Sequence, residues 1–296
     1  MVKRELNSTH TSFLSLHGAV ILLALCALFA KWLTLPAIYI VVGRSLFAAL
    51  ALFIFCSFTA KRLNISKQLL LKLAVSGLLL AIHWWSFFHT IQISSVTLGL
   101  LTFACFPLFV GAISVILKWQ EFKITTFLQA LLCIIGIYLV VSTRPIDTIN
   151  LSALGYGLFS ALSFAVLTLF NKIVVKKNTA ITVAFWQNLF AGIWLCPAFF
   201  IYQMLPSNDE LMLIALLGIV FTAFAHSLLL HSLQLFSAFT VSLTLTLEPL
   251  YGIAAAWFFL DERLTMVMLI GATLIVVVNY WAGKEQVKTL TNKEPT

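Results

Sequence analysis

The sequence predicts an all-α polytopic membrane protein with ten transmembrane helices arranged as two inverted five-helix repeats. Three observations carry the prediction: the composition, a succession of apolar runs of bilayer-spanning length, and a faint internal duplication. Of 296 residues, 61% are hydrophobic and only 9% charged, against roughly 25% charged in soluble domains. A water-soluble fold of this size cannot hide so much apolar surface, so the bilayer itself is the expected solvent partner.

A helix needs ~20 mostly apolar residues to cross the hydrocarbon. The first such run, 13–33, follows a polar tail, 1–12. It lacks a small-residue cleavage site and reads as a retained span. The second, 36–59, opens on Pro36 and closes before Lys61 and Arg62. The third, 69–90, begins after Lys67, and polar residues at 92–94 separate it from the fourth, 94–117, which ends at Lys118. The fifth, 124–142, lies between Lys123 and Arg144. Asn150 precedes the sixth, 151–171, and Lys172 ends it. The seventh, 179–204, is closed by Pro206 and Asp209, and the eighth covers 211–231. Gln234 marks a tight turn into the ninth, 235–259. Asp261, Glu262 and Arg263 precede the tenth, 264–282, and the polar tail 283–296 reads as disordered.

The net charge of +8 is explained by topology and needs no nucleic acid. With the N-terminus in the cytoplasm, fourteen of the eighteen basic residues fall on that side: Lys3, Arg4, Lys61, Arg62, Lys67, Lys72, Lys118, Lys123, Lys172, Lys176, Lys177, Lys284, Lys288 and Lys293. Arg144 and Arg263 fall outside, and Lys31 and Arg44 lie near the outer ends of spans one and two. Both termini are therefore expected in the cytoplasm, in a bacterial inner membrane. The cysteines Cys26, Cys56, Cys105, Cys133 and Cys196 are isolated in apolar runs, without disulfide or metal spacing. No metal or cofactor is expected.

The halves 13–142 and 151–282 resemble each other. Arg44-Ser-Leu-Phe-Ala matches Gln187-Asn-Leu-Phe-Ala, Phe106-Pro-Leu-Phe matches Glu248-Pro-Leu-Tyr, and Glu121 matches Glu262. Two copies of a five-span unit must sit upside down relative to each other. Such repeats place a solute site near the midplane between the halves of an alternating-access carrier. On these features the chain resembles an EamA-type member of the drug/metabolite transporter superfamily across essentially its full length. The resemblance implies a ten-helix carrier of amino acids or other small metabolites with a central cavity. Family members often carry Trp-Gly early in span one and glycine before the loop glutamates. Here Leu23-Ala24, Gln120 and Asp261 stand at those places.

Ionisable groups at membrane depth are costly and are therefore functional candidates. Glu248 is the acidic residue lying mid-span. It shares a helical stripe with Thr240, Thr244 and Tyr251, expected to face the cavity, beside the helix-loosening Pro249. It is the candidate proton-coupling group, with a fixed interhelical hydrogen bond as its purely structural role. Arg44 offers a permanent cation for Glu248 or a solute carboxylate, unless it snorkels to the headgroups. Gln187 and Asn188, Trp85, His226 and Tyr251 complete the expected substrate contacts, with His83 and Thr244 as secondary candidates. Lys31 and Lys172 read as snorkelling anchors. Ala153, Gly157, Ala161 and Ala165 form a small-residue packing stripe.

No Walker A, HExxH or GxSxG motif is present. The residues therefore predict a secondary transporter of a small organic, amino-acid-like solute, possible as a monomer or a homodimer and open to coupling with protons. A lipid-linked flippase on the same scaffold is the alternative. An intramembrane enzyme is disfavoured, because one carboxylate and scattered histidines make a poor catalytic constellation.

Overall fold

The computed structural model describes residues 2–59, 63–119, 124–141, 150–199, 204–236 and 238–291, with side chains at most of these positions from 14 to 284. Glu121, Gln120, Lys61, Arg62, Lys123, Arg144 and Lys293 lie outside the described residues, as do the side chains of Thr240 and Cys133. The described residues are helical, with no strand among them.

In the first half, α1 (Val2–Cys26) and the short α2 (Phe29–Trp32) are followed by α3 (Ala37–Phe58), α4 (Lys67–Gln92), α5 (Val96–Phe103), α6 (Phe106–Ile116) and α7 (Ile124–Val141). The second half contains α8 (Leu151–Val174), α9 (Ala180–Leu195) and α10 (Asn208–Gly218). The π-helical segment Ile219–Phe224 then leads into α11 (Ala225–Leu235), α12 (Ala238–Leu245), α13 (Glu248–Leu260) and α14 (Met266–Thr291). Among the described residues, six helical stretches are long and apolar enough to cross a membrane: Leu14–Trp32, Ala37–Phe58, Lys67–Gln92, Val96–Ile116, Leu151–Val174 and Asn208–Leu235. Ala180–Leu195 and Met266–Val278 are apolar but shorter. Of the remaining expected spans, 124–142 is helical as α7, and 235–259 is split into α12 and α13.

The tail 283–296, expected to be disordered, differs in part from the structure. α1 begins at Val2 and α14 runs to Thr291. No proline interrupts 283–291, and Lys, Glu, Gln and Leu sustain a helix once a hydrophobic span has nucleated it.

Helix starts follow local chemistry. Ser66, Ser95, Asn150, Thr179 and Ser207 each accept a backbone N–H with their side chains. Ser207 and Glu210 close a reciprocal capping box, and Thr34 donates to Glu210 at 2.6 Å. The hydrophobic surface faces outward as well as inward: Phe53, Ile54, Phe55 and Phe58 on α3 are all exposed, as a lipid-facing helix requires.

The halves interlock reciprocally. α4 packs on α9, and α10 packs on α3. At each crossing a glycine meets the other half's backbone. A β-carbon on Gly77 would lie 2.5 Å from Phe190 Cβ and 3.0 Å from Gln187 O. One on Gly218 would lie 2.6 Å from Phe47 Cβ and 2.8 Å from Arg44 O. The small-residue stripe on α8 is buried, and Gly157 gives the same close approach to Thr102.

The tight turns are braced by matching side chains. Gln92 donates to Leu35 O at 2.8 Å and accepts from Ala37 N at 2.9 Å. Gln234 donates to Val175 O at 3.2 Å and Asn178 O at 3.0 Å. Asp261, where family members commonly have glycine, adopts a left-handed φ of 52° at the end of α13. Asp tolerates that region at some cost, whereas glycine enters it freely.

Two stability outcomes follow. Gly218→Val, forced against Arg44 O and Phe47, is expected to cost about 1–3 kcal/mol. Asp261→Gly is expected to gain up to about 1 kcal/mol. Thermal unfolding of the purified protein in detergent reads both, the first as a lowered and the second as a raised midpoint.

Candidate functional site

Proline places a break at the same point of each half. α5 ends at Phe103 and α6 starts at Phe106, next to Pro107. α12 ends at Leu245 and α13 starts at Glu248, next to Pro249. Proline supplies no N–H and disfavours helix in the residue before it. Broken helices at membrane depth are tolerated where they line a cavity. Glu248, opening α13, lies at the positive end of that helix dipole.

Between the halves lies a cavity of about 30 Å³, room for only one or two water molecules. Cys26, Arg44, His83, His226 and Glu248 line its polar part. Trp84, Phe87, Phe103 and Phe164 form much of the apolar wall. Phe106, the counterpart of Glu248 in the first half, stacks on Phe103 at 5.0 Å. One break therefore delivers a carboxyl group to the cavity, and the other buttresses its aromatic wall.

Arg44 is buried, so it does not snorkel to the headgroups. Its guanidinium carbon lies 4.0 Å from the Trp84 ring centroid and 5.1 Å from that of Phe88. Such cation–π contacts are worth about 2 kcal/mol when desolvated. Nε donates to Thr222 Oγ1 at 2.9 Å. The Thr222 hydroxyl in turn donates to Leu217 O, five residues back, at 2.8 Å. With its proton committed there, this oxygen can only accept from the arginine. The π segment makes that arrangement, and the Cys26 thiol approaches Phe221 O of the same segment at 4.0 Å. Arg44 Nη2 is buried without a hydrogen-bond partner. Among the described residues no ion pair joins Arg44 to Glu248, although both line the cavity.

The histidines are held from behind. His83 Nδ1 lies 3.1 Å from Ser160 O. Ser160 Oγ lies nearer to the same nitrogen, at 2.9 Å, so Nδ1 donates to the carbonyl in one tautomer and accepts from the hydroxyl in the other. His226 Nε2 lies 3.0 Å from Gln187 Oε1. Gln187 spends its amide hydrogens on Ser76 Oγ, at 2.9 Å, and on Asn171 Oδ1. Gln187 is thus a strut between α4, α8, α9 and α11, and not the free contact expected.

Other expected positions also differ. Trp85 is turned away from the cavity, stacked on His89 at 5.7 Å and against Tyr156 at 5.6 Å. Its neighbour Trp84 holds the cavity position, because adjacent helical residues diverge by about 100°. Tyr251 is 42% exposed. Tyr251 lies three residues after Glu248 in the same helix but does not line the cavity, and the break at 246–247 separates Thr240 and Thr244 from both in helical phase. Thr244 is half-buried before the break and does not line the cavity. Asn188 donates to Ala184 O, and its Oδ1 is buried without a partner.

Lys31 and Lys172 prove to be caps. Lys31 Nζ donates to Ser94 O at 2.9 Å and Gln92 O at 3.4 Å. Lys172 Nζ donates to Leu233 O at 2.7 Å and Phe236 O at 2.5 Å. Each ammonium neutralises the negative C-terminal end of a helix in its own half. Glu262 caps the opposite polarity: it accepts from Val96 N at 2.8 Å, Thr97 N at 3.3 Å and Thr97 Oγ1 at 2.7 Å. These roles depend on distant backbone, which a linear pattern does not display.

Among the described residues no group of three His, Cys, Asp or Glu side chains is placed to hold a metal ion. The arrangement offers instead a desolvated cation, a carboxyl group and aromatic faces, which suit reversible binding of a polar organic solute.

The model of the EamA-like transporter family matches residues 11–142 and again 151–281. The chain belongs to the EamA-like transporter family. The two matches make it an integral-membrane transporter built of two EamA repeats. Relatives include an S-adenosylmethionine uptake transporter of Rickettsia conorii, 27% identical over 221 residues and covering 73% of each chain. A protein of the same description from Rickettsia bellii is 26% identical, covering 73% of this chain and 74% of its own. An uncharacterized transporter of Archaeoglobus fulgidus is 26% identical over 191 residues, 64% of this chain and 68% of that one. A solved crystal structure matches with a TM-score of 0.69 at 13% identity, covering 92% of this chain and 96% of that one. This last likeness establishes the shared fold.

In this EamA-like transporter, Thr222→Val is expected to leave Arg44 Nε buried and unpaired, at a cost of about 1–3 kcal/mol. Thr222→Ser keeps the acceptor and is expected to stay near wild type. Thermal unfolding midpoints of the two variants make the comparison.

Proposed function

We propose that this chain is a secondary transporter that moves a small organic solute carrying both a carboxylate and a cationic group. Amino-acid-like metabolites fit this description, and S-adenosylmethionine leads the candidates because two relatives are described as its uptake transporters. The observation that carries the reading is the pair Arg44 and Glu248, which line one buried cavity with aromatic walls but form no ion pair. A buried charge without its complement is costly. A solute carboxylate at Arg44 Nη2, with the solute cation at Glu248 and the aromatic faces, supplies both complements.

The transport mechanism is alternating access between two inverted five-span repeats, ten spans in all, with both termini in the cytoplasm. The small cavity supports this. Ligand sites usually enclose about 300–1,000 Å³, so a space of about 30 Å³ has to widen before a metabolite enters. Reciprocal packing of α4 on α9 and of α10 on α3 gives two interfaces on which the halves can rock. Glu248 is the proton-coupling group: it binds a proton or the solute cation in turn as access changes side.

One observation favours the flippase alternative, a membrane-facing crevice beside α3, α9 and α11. Among the described residues no charged side chain lines that crevice, whereas the charged pair stands in the central cavity, which favours a soluble metabolite.

Proteoliposomes decide among these readings. Labelled S-adenosylmethionine and amino acids are expected to accumulate under an imposed pH gradient. Arg44→Ala is expected to reduce uptake at least tenfold, the loss of one charge-assisted contact worth about 1.5–3 kcal/mol. Glu248→Gln is expected to abolish gradient-driven accumulation, and undiminished accumulation by that variant refutes proton coupling. Lipid scrambling without metabolite uptake would establish the flippase instead. For topology, reagents that cannot cross the membrane are expected to reach cysteines placed at Lys61 and Asp209 from opposite sides.

A further inference from the structure

The crevice on the other side of α11 is far larger than the central cavity, at about 640 Å³. Three elements form it: α3 through Ala51, Leu52 and Phe55, the start of α9 through Ala180 and Ile181, and the π segment with α11. Its polarity is graded. Thr179, His231 and Gln234 stand at one end, where α9 begins and α11 finishes. Ile219, Ala223 and Phe224 lie far along the helix towards the other end. From Gln234 to Ile219 the helix rises roughly 22 Å at about 1.5 Å per residue. That exceeds the ~15 Å hydrocarbon depth of one leaflet. Ser227, between these ends, has a buried hydroxyl oxygen without a hydrogen-bond partner.

The polar mouth is tied to a basic turn. Gln234 donates to the carbonyls of Val175 and Asn178, and between those residues stand Lys176 and Lys177, both exposed. An elongated, largely apolar slot whose polar end is hydrogen-bonded to a turn carrying two exposed lysines matches the anatomy of an anionic phospholipid. A soluble metabolite would find no counter-charge among the described residues of the slot's wall, and a protein helix, about 10–12 Å across with its side chains, does not fit so narrow a volume over such a length.

We infer that this crevice is a binding site for an anionic phospholipid, with one acyl chain lying along α11 between α3 and α9 and the phosphate beside Lys176 and Lys177. The lipid belongs to the leaflet on the side of the 175–178 turn, and only the naming of that leaflet as cytoplasmic rests on the orientation proposed above. A chain seated there packs against Ala223, next to Thr222, which holds Arg44. The lipid thus wedges the back of the helix whose front lines the solute cavity.

Native mass spectrometry of the full-length protein in detergent, with phosphatidylglycerol or phosphatidylethanolamine added at equal concentration, tests the site. Wild type is expected to retain phosphatidylglycerol preferentially, on the order of tenfold for two lysines at the surface. Lys176→Ala combined with Lys177→Ala is expected to remove that preference while leaving general lipid retention. Ser227→Phe, which fills the slot, is expected to remove retention of both lipids. Equal retention of the two lipids by wild type overturns the proposal, as does a preference that survives the lysine pair of substitutions. The lysine variant lies on a solvent-exposed turn and keeps the test open if the slot-filling variant fails to fold. Because no solute or gradient enters the measurement, its failure leaves the transport reading standing, and failed transport leaves the lipid site standing.

Discussion

A guanidinium buried at membrane depth is the constraint around which the rest of the structure is arranged. Arg44 remains charged at any physiological pH, and its desolvation is unfavourable by several kcal/mol. Trp84 and Phe88 present their faces to it, and Thr222 accepts its Nε–H. Thr222 reaches that position because the helix widens to a π turn at Ile219–Phe224. π segments are rare and recur at functional sites. Here the widening redirects one hydroxyl group and one carbonyl towards the first half of the protein. A structural irregularity in the second half thus exists to satisfy a charge from the first.

The two halves share their architecture more strictly than their chemistry. Lys31 and Lys172 cap helix ends in corresponding places, Gln92 and Gln234 brace corresponding turns, and Gly77 and Gly218 mark corresponding crossings. These contacts are concentrated at turns and crossings, where geometry must be kept if each half is to move as a body. The cavity is different. Phe106 and Glu248 occupy matching positions after matching breaks, and only one of them ionises. The symmetric parts hold shape, and the asymmetric parts set the chemistry of the cavity.

Much of this was legible in the sequence. Long apolar runs marked the helices, and Arg44, Glu248, His83 and His226 stood out as ionisable groups in an apolar background, which is why they were found to share one cavity. The misplacements have specific causes. The choice between Trp84 and Trp85 turns on helix rotation, and on a helix apolar all round no amphipathic face reveals it. Thr244 belongs to a continuous helical period that the break at 246–247 interrupts, and Tyr251, within the same helix as Glu248, turns to the exposed side. Gln187 has the right depth, but its hydrogen-bonding capacity is consumed by Ser76, Asn171 and His226. Thr222 gave no signal, since no residue pattern announces a π turn. Lys31 and Lys172 looked like interfacial anchors because their carbonyl partners lie some sixty residues away in the chain.

The tightness of the central cavity has a thermodynamic consequence. A protein whose binding-competent form is a minor population shows an apparent affinity reduced by that fraction, tenfold for every ~1.4 kcal/mol needed to reach it. Separating Phe103, Phe164 and Trp84 to admit a solute requires such an excursion. On the proposed reading, interactions formed at Arg44 and Glu248 are spent largely on reshaping the walls, and little remains to hold a solute. Weak retention of this kind is what lets a carrier let go on the far side.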